Sequence, residues 1–281
     1  MTRSNTASVA PVLKGDDDHP VRNKRVSTKK SKTSFQGQSP IRGLLPIVVG
    51  IALWQILGTD DSVYFPRPST WVSAFVDFAA SGELLSATYS TAETFVLAFV
   101  LAILIGVTLG ILVGGIPRLD RMLNPTLEFI RAIPSSAKVP VFVLFLGYTS
   151  GMKLVVVVIS AVFPILLNTR SGMKETNPLL FDVGRTLHLS KFATIRKILM
   201  PSLFAPILTG IRIATPMVLI VVLVVEILTK IPGLGGSLSL AQAYYQSSLV
   251  YALIVVTTIL ALVVNTTVGA LDDRLSRHLR R

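Results

Sequence analysis

The sequence predicts an all-α membrane protein with six transmembrane helices, preceded by a disordered polar tail. Three observations carry that prediction. Of 281 residues, 51% are apolar and mean hydropathy is +0.65, and several apolar runs approach the roughly 20 residues needed to cross a ~30 Å hydrocarbon core. Short polar segments rich in Pro, Gly and basic residues separate those runs. The net charge of +12 is segregated, with nine Lys and Arg before Leu44 and four after Leu271. Basic residues retained on the inner side of a membrane produce that distribution, which removes the nucleic-acid reading that net charge alone invites.

Residues 1–40 are rich in Ser, Thr, Lys and Arg and cannot bury enough apolar area to offset their ordering entropy, so a disordered inner-side tail is expected. The first apolar run begins some 40 residues in with no small-residue cleavage site behind it, so no cleavable leader is expected. Residues 41–281 form the membrane domain. Its first span reads from about Leu44 to Leu57, with Pro46 near its start and Asp60-Asp61 beyond its end. Trp71 to Phe78 is amphipathic and reads as a helix lying in the interface. The second span, about Ala92 to Val113, carries Gly106, Gly110 and Gly114 at four-residue spacing. In lipid such a ridge of small residues lets another helix backbone approach closely. The third span is interrupted by Pro125, Pro134 and Pro140, with Glu128, Arg131 and Lys138 nearby, and is expected to be kinked and to face protein or water. The fourth runs from about Leu154 to Leu167 and the fifth from Ile207 to Leu228. A loop through Pro232-Gly233-Leu234-Gly235-Gly236 leads to Tyr244-Tyr245 at an interface. The sixth span runs from Leu249 to about Leu271.

With the N-terminus inside, the inner loops hold Arg118, Arg121 and six Lys or Arg between 170 and 197. The outer loops hold only Arg67, Lys153 and Lys230, offset by Asp60, Asp61, Asp77 and Glu83. Both termini are therefore expected on the inner side.

The polar segment at about 171–203 is the most informative part of the chain. Leu180, Val183, Leu187, Phe192, Ile195, Ile198 and Leu199 recur at helical spacing while basic residues fill the other face. Asn177-Pro178 is a helix start, an Asx N-cap followed by proline at the first helical position, and Ser190 caps a second short helix that Pro201 follows. Two short amphipathic helices between membrane spans read as a docking device or, alternatively, as an interfacial connector. Enzymatic signals are missing. There is no G-x-x-x-x-G-K-[ST] and no G-x-S-x-G, the three histidines lie far apart, and the chain has no cysteine. No catalytic residue and no metal site is assigned.

Several motifs in order resemble the nitrate/sulfonate/taurine branch of binding-protein-dependent ABC importer permeases. That branch shows Glu-Ala-Ala, a Gly four residues after the second Ala, and Leu-Pro near the end of its inner loop. Here the frame reads Asp182-Val183-Gly184, Arg185-Thr186-Leu187, then His188 where the Gly is expected, and Met200-Pro201. Phe65-Pro66-Arg67-Pro68, Arg131-Ala132-Ile133-Pro134 with Val139-Pro140, Phe163-Pro164 with Asn168-Thr169, Val225-Glu226 and Gly233-Leu234-Gly235 extend the resemblance over about residues 62–279. It implies a six-span permease core of the type I importer kind in the bacterial inner membrane, working as a dimer, a homodimer by expectation. Two ATPase subunits and an extracytoplasmic solute-binding protein are implied as partners. Asp182, Gly184, Arg185, Leu187, His188, Ser190 and Pro201 would form the ATPase-coupling loop. ATP and Mg would bind the partner ATPase, with no cofactor on this chain. The solute would be a sulfonate, nitrate, taurine or similar organic anion, or alternatively a neutral vitamin precursor. A proton-coupled secondary transporter using Glu226 or Glu93 is the reading from another class.

Arg131, Lys138 and Glu226 remain as candidate pathway or gate residues. Glu226 either lines the pathway or holds helices together through a hydrogen-bonded partner. Glu128 and Arg131, three apart, can pair on one helix face, leaving Lys138 as the unmatched cation. Lys138 then either contributes positive potential to an anion pathway or snorkels in a structural role.

Overall fold

The computed structural model describes residues 40–60 and 62–279. The expected tail lies outside the described residues except for Pro40. The chain divides into two compact units, residues 1–46 and 47–281, and of the first only the opening of one helix is described. Among the described residues the structure is helical throughout, with no strand.

Helix α1 (Pro40–Leu57) leads through a short linker to α2 (Pro68–Ala80). Pro68 occupies the first turn of α2, where a missing N–H costs nothing, and the Gln55 side chain accepts from Ser69 N (3.0 Å), satisfying a free donor there. Arg67 Nε donates to Gly58 O (2.9 Å) and folds the linker back.

Helix α3 (Glu83–Gly115) is 33 residues long, about 50 Å at 1.5 Å per residue. It is followed by α4 (Pro117–Ala132) and α5 (Ser135–Leu146), which meet at a 94° bend. Pro134 makes that bend. The proline ring drives Ile133 out of helical geometry to φ −70°, ψ 120°. Pro125 and Pro140, expected to interrupt the same span, sit inside α4 and α5 without ending them. The third span is therefore broken at one proline rather than kinked at three.

Helix α6 (Ser150–Glu175) packs on both α3 and α9, the helix that follows the polar segment. On one side it meets the glycine ridge. A Cβ on Gly106, Gly110 or Gly114 would lie 2.9, 2.6 or 2.7 Å from the Cβ of Ile165, Thr169 or Met173. On the other side, a Cβ on Gly210 would lie 2.9 Å from Ile165 Cα and one on Gly172 2.4 Å from Pro206 Cγ. Small residues thus bring three helix backbones close together, as association within lipid favours.

The polar segment forms α7 (Pro178–Thr186) and α8 (Lys191–Thr194), then a π-helical turn (Ile195–Leu199) and α9 (Met200–Thr229). Pro201 was expected just beyond a second helix, but it lies in the first turn of α9 and the helix runs through it. The wide turn makes this feasible, because Met200 N donates five residues back to Ile195 O. The Pro-Gly loop after the fifth span also differs from expectation, since α10 (Leu234–Ala243) begins inside it and buries Leu234, Gly235 and Gly236. Helix α11 (Ser247–Leu279) ends the described chain.

Among the described residues four helical stretches are long and apolar enough to cross a membrane, and the bent α4–α5 pair makes a fifth. The apolar part of α1, Leu45–Leu57, where the first span was expected, is shorter than these.

Candidate functional site

The polar hairpin is built by its caps. Asn177 Oδ1 accepts from Leu179 N (3.0 Å) at the start of α7, and Ser190 Oγ accepts from Ala193 N (3.2 Å) at the start of α8. Between them His188 takes the left-handed conformation, φ 50°. Its N–H reaches Arg185 O (3.0 Å) and the Leu189 N–H reaches Gly184 O (3.0 Å), the paired bonds that close a helix end around a left-handed residue. The break thus falls at His188, without glycine, at the strain a non-Gly residue accepts there. Leu187 forms the C-cap, and Asp182 pairs with Arg185 across one turn (3.1 Å). A Cβ on Gly184 would lie 2.9 Å from Ile198 Cδ1, so α7 rests closely on the π turn. Leu179, Val183, Leu187, Phe192 and Ile195 nevertheless remain exposed, Phe192 to 73% and Leu187 to 65%.

The same end of the bundle carries an ion cluster that sequence reasoning missed. Asp120 of α4 bonds to Arg170 Nε and to Lys174 Nζ (2.9 Å), while Arg170 Nη2 also reaches Asn124 Oδ1 (2.7 Å). These read as loop charges, but they tie the start of α4 to the end of α6.

Glu226 lies at the opposite end, fully buried at 0% exposure. Lys153, 1% exposed, places Nζ 3.1 Å from Glu226 Oε1, 3.2 Å from Ser90 Oγ and 3.1 Å from Pro232 O. Three acceptors match the three ammonium protons. Thr91 Oγ1 lies 3.0 Å from both carboxylate oxygens and accepts from Leu234 N (2.9 Å); Gly235 N donates to Oε2 (3.0 Å). The carboxylate therefore caps α10 while pairing with α6 and α3. A Cβ on Gly233 would fall 2.1 Å from Glu226 Oε1 and one on Gly236 2.2 Å from Ile231 O, which explains the glycines. From sequence alone Lys153 reads as an outer-loop charge. The signal available was a lysine opening one apolar run and a glutamate closing the next, which places both at one depth.

The third group of charges surrounds the α4–α5 elbow. Glu128 and Arg131 pair across one turn (2.6 Å) on an exposed face. Lys138 is 8% exposed, and its Nζ lies 5.6 Å from the Phe163 ring centroid, near the middle of α6. Among the described residues no carboxylate or hydrogen-bond acceptor meets it. Snorkelling does not fit, because half of α6 is about 20 Å long, beyond the reach of a lysine side chain. A cation–π contact gives about 0.5–2 kcal/mol, whereas an unpaired lysine at bilayer mid-depth costs about 2.5–3.5 kcal/mol on insertion scales. Phe163 alone leaves that cost unmatched. The structure therefore brings Arg131 and Lys138 to one elbow and holds Glu226 apart from them.

The family profile for "Binding-protein-dependent transport system inner membrane component" matches residues 102–281. A putative aliphatic sulfonates transport permease protein, SsuC of Bacillus subtilis, is 29% identical over 244 residues, covering 86% of each chain. The bicarbonate transport system permease protein CmpB of Synechocystis is 30% identical over 258 residues, 86% of this chain and 87% of its own. Among solved structures, a chain of the MetNI methionine ABC transporter in inward-facing conformations superposes with a TM-score of 0.60 at 17% identity, over 72% of this chain and 99% of that one. That last likeness concerns the fold alone. The chain belongs to the family of binding-protein-dependent transport system inner membrane components and is a multi-pass permease of the ABC transporter class.

Proposed function

We propose that this chain is the membrane-spanning subunit of an ATP-driven importer that moves a small anionic solute across the cytoplasmic membrane. The observation that carries this reading is the α7–α8 hairpin, whose two capped helices present exposed apolar residues beside Arg185, Lys191, Arg196 and Lys197. Contiguous apolar surface rimmed by charge marks a protein docking site. In this reading one ATPase subunit receives the hairpin of each of two permease copies, and ATP and Mg bind there rather than on this chain. An extracytoplasmic binding protein delivers the solute at the α10 end. The hairpin, the Asp120 cluster and both termini face the cytoplasm, where the excess of basic residues belongs.

Two of the relatives, named for aliphatic sulfonates and for bicarbonate, support a compact anionic solute, while one named for formylaminopyrimidine keeps a neutral vitamin precursor as the alternative. The proton-coupled alternative loses support at Glu226, one of the two carboxylates it would use, because Lys153, Thr91 and Gly235 enclose that group. Purification of the tagged chain in mild detergent is expected to recover a P-loop ATPase at about one copy per permease. Recovery of the chain alone from intact membranes would overturn the reading.

Gly184→Pro gives a sharper check on the hairpin. A proline there removes a helical N–H and drives its ring against the Leu180 carbonyl, at about 3 kcal/mol or more. Solute uptake is expected to vanish while ATP hydrolysis persists or falls. Uptake at the unsubstituted rate would refute a coupling role for the hairpin.

A further inference from the structure

We propose that the α4–α5 elbow is an anion site, with Lys138 as its fixed cation and the first turn of α5 as its donor surface. The proposal rests on the permease reading and adds to it where the solute's charge is met. Three observations converge on one point. Lys138 is more than nine-tenths buried near the middle of α6, with no counter-ion among the described residues. It stands in the first turn of α5, one helical turn from Ser135 and on the same face. No side chain caps α5, and the hydroxyls of Ser135 and Ser136 have no hydrogen-bond partner among the described residues. Ala137 N already donates to Pro134 O (3.0 Å), so the donors left at this helix start are the N–H groups and hydroxyls of Ser135 and Ser136, which with an adjacent lysine have the complement of a compact oxyanion. Sulfonate, carboxylate and nitrate groups share that chemistry.

The surroundings favour a wet site over a lipid-facing one. The adjoining α4 face carries the exposed Glu128–Arg131 pair, and charged side chains at membrane depth face water or protein. Because that pair is internally neutral, it leaves the positive potential at the elbow to Lys138. The Phe163 ring covers one side of the ammonium, which leaves its other side for an anion.

The cysteine-free sequence permits a test that needs no identified substrate. Ser135→Cys lies three residues before Lys138, on the same helix face. The full complex in nanodiscs is treated with two methanethiosulfonate reagents of similar size, one bearing a sulfonate and one a trimethylammonium group. Each forms a mixed disulfide with the thiolate and releases methanesulfinate. The ratio of the two rates cancels any effect of Lys138 on the ionisation of the thiol itself. With each rate divided by that of the same reagent on a free thiol in solution, the sulfonate reagent is expected to be favoured on the order of tenfold, the scale of one nearby unit charge. Lys138→Gln should bring this normalised ratio close to one, and Lys138→Arg should preserve it.

A ratio unmoved by Lys138→Gln overturns the proposal. So does a ratio near one with Lys138 present, which would mean that a carboxylate from elsewhere in the assembly already neutralises it. Failure of either reagent to label both Ser135→Cys and Ser136→Cys, in protein that remains folded and associated, would show a dry elbow and end the idea. None of these outcomes touches the permease reading, which stands or falls on ATPase recovery.

Discussion

Glu226→Ala is expected to lower the thermal midpoint of the detergent-solubilised protein by on the order of 10 °C. The substitution leaves the Lys153 ammonium buried with only Ser90 Oγ and Pro232 O as acceptors. Stripping one partner from a buried ion pair costs about 3–5 kcal/mol, because the remaining charge is uncompensated. It also strips the Gly235 N–H of its acceptor, which loosens the start of α10. Lys153→Met should cost less, since the carboxylate keeps Thr91 and Gly235 as donors. The double variant Lys153→Met/Glu226→Gln removes both charges and retains an oxygen for Gly235. Measured against the single variants Lys153→Met and Glu226→Gln, its loss should fall short of their sum by about 2 kcal/mol. Strict additivity would mean that the two charges do not act on each other in the folded protein.

Gly110→Leu is the second large effect. A Cβ at Gly110 already falls 2.6 Å from Thr169 Cβ and 2.9 Å from Leu166 O, and the latter is backbone that cannot rotate aside. Alanine there is expected to cost about 1–3 kcal/mol through overpacking, and leucine more. The leucine variant should fail to give a monodisperse folded species by fluorescence-detected size exclusion. Gly269→Ala in α11 is the control, since nothing lies within 4 Å of its added Cβ. It is expected to be neutral or to stabilise by about 0.5–1 kcal/mol, as alanine is the better helix former. If Gly110→Leu and Gly269→Ala behaved alike, the ridge would carry no packing role.

The parts of this architecture governed by local chemistry could be read from sequence. The apolar runs, the Asn177-Pro178 helix start and the Ser190 cap each follow from neighbouring residues. Features set by distant residues could not. Lys153 and Glu226 are separated by 73 positions, and the lysine follows the Thr149 cap by only a few residues, where it looks like a loop charge. Helix α10 was hidden because it follows directly on Pro232-Gly233 and opens with Leu234-Gly235-Gly236, which together read as a turn signal, and because its cap comes from Glu226 on another helix. Of three prolines in one span, only Pro134 breaks it. Pro125 and Pro140 are held in continuous helices, a distinction that no local rule draws. The π turn before Pro201 was hidden for the same reason, since it belongs to the junction of two helices that were expected to be separate.

That junction has a mechanical consequence. From Lys191 to Thr229 the chain is one unbroken helix through α8, the π turn and α9, about 58 Å at 1.5 Å per residue. Its near end adjoins the hairpin and its far end holds Glu226 beneath α10. A lever arm of that length carries an axial push with little loss, because shortening it requires distorting a continuous ladder of backbone hydrogen bonds. The π turn is where its torsional register can change. Tightening those wide bonds to α-helical ones would rotate the distal arm by roughly one residue's angle, about 100°. On the proposed coupling role, a displacement delivered at the hairpin would have a built-in place to become rotation, set beside the load and far along the helix from the ion pair at its other end.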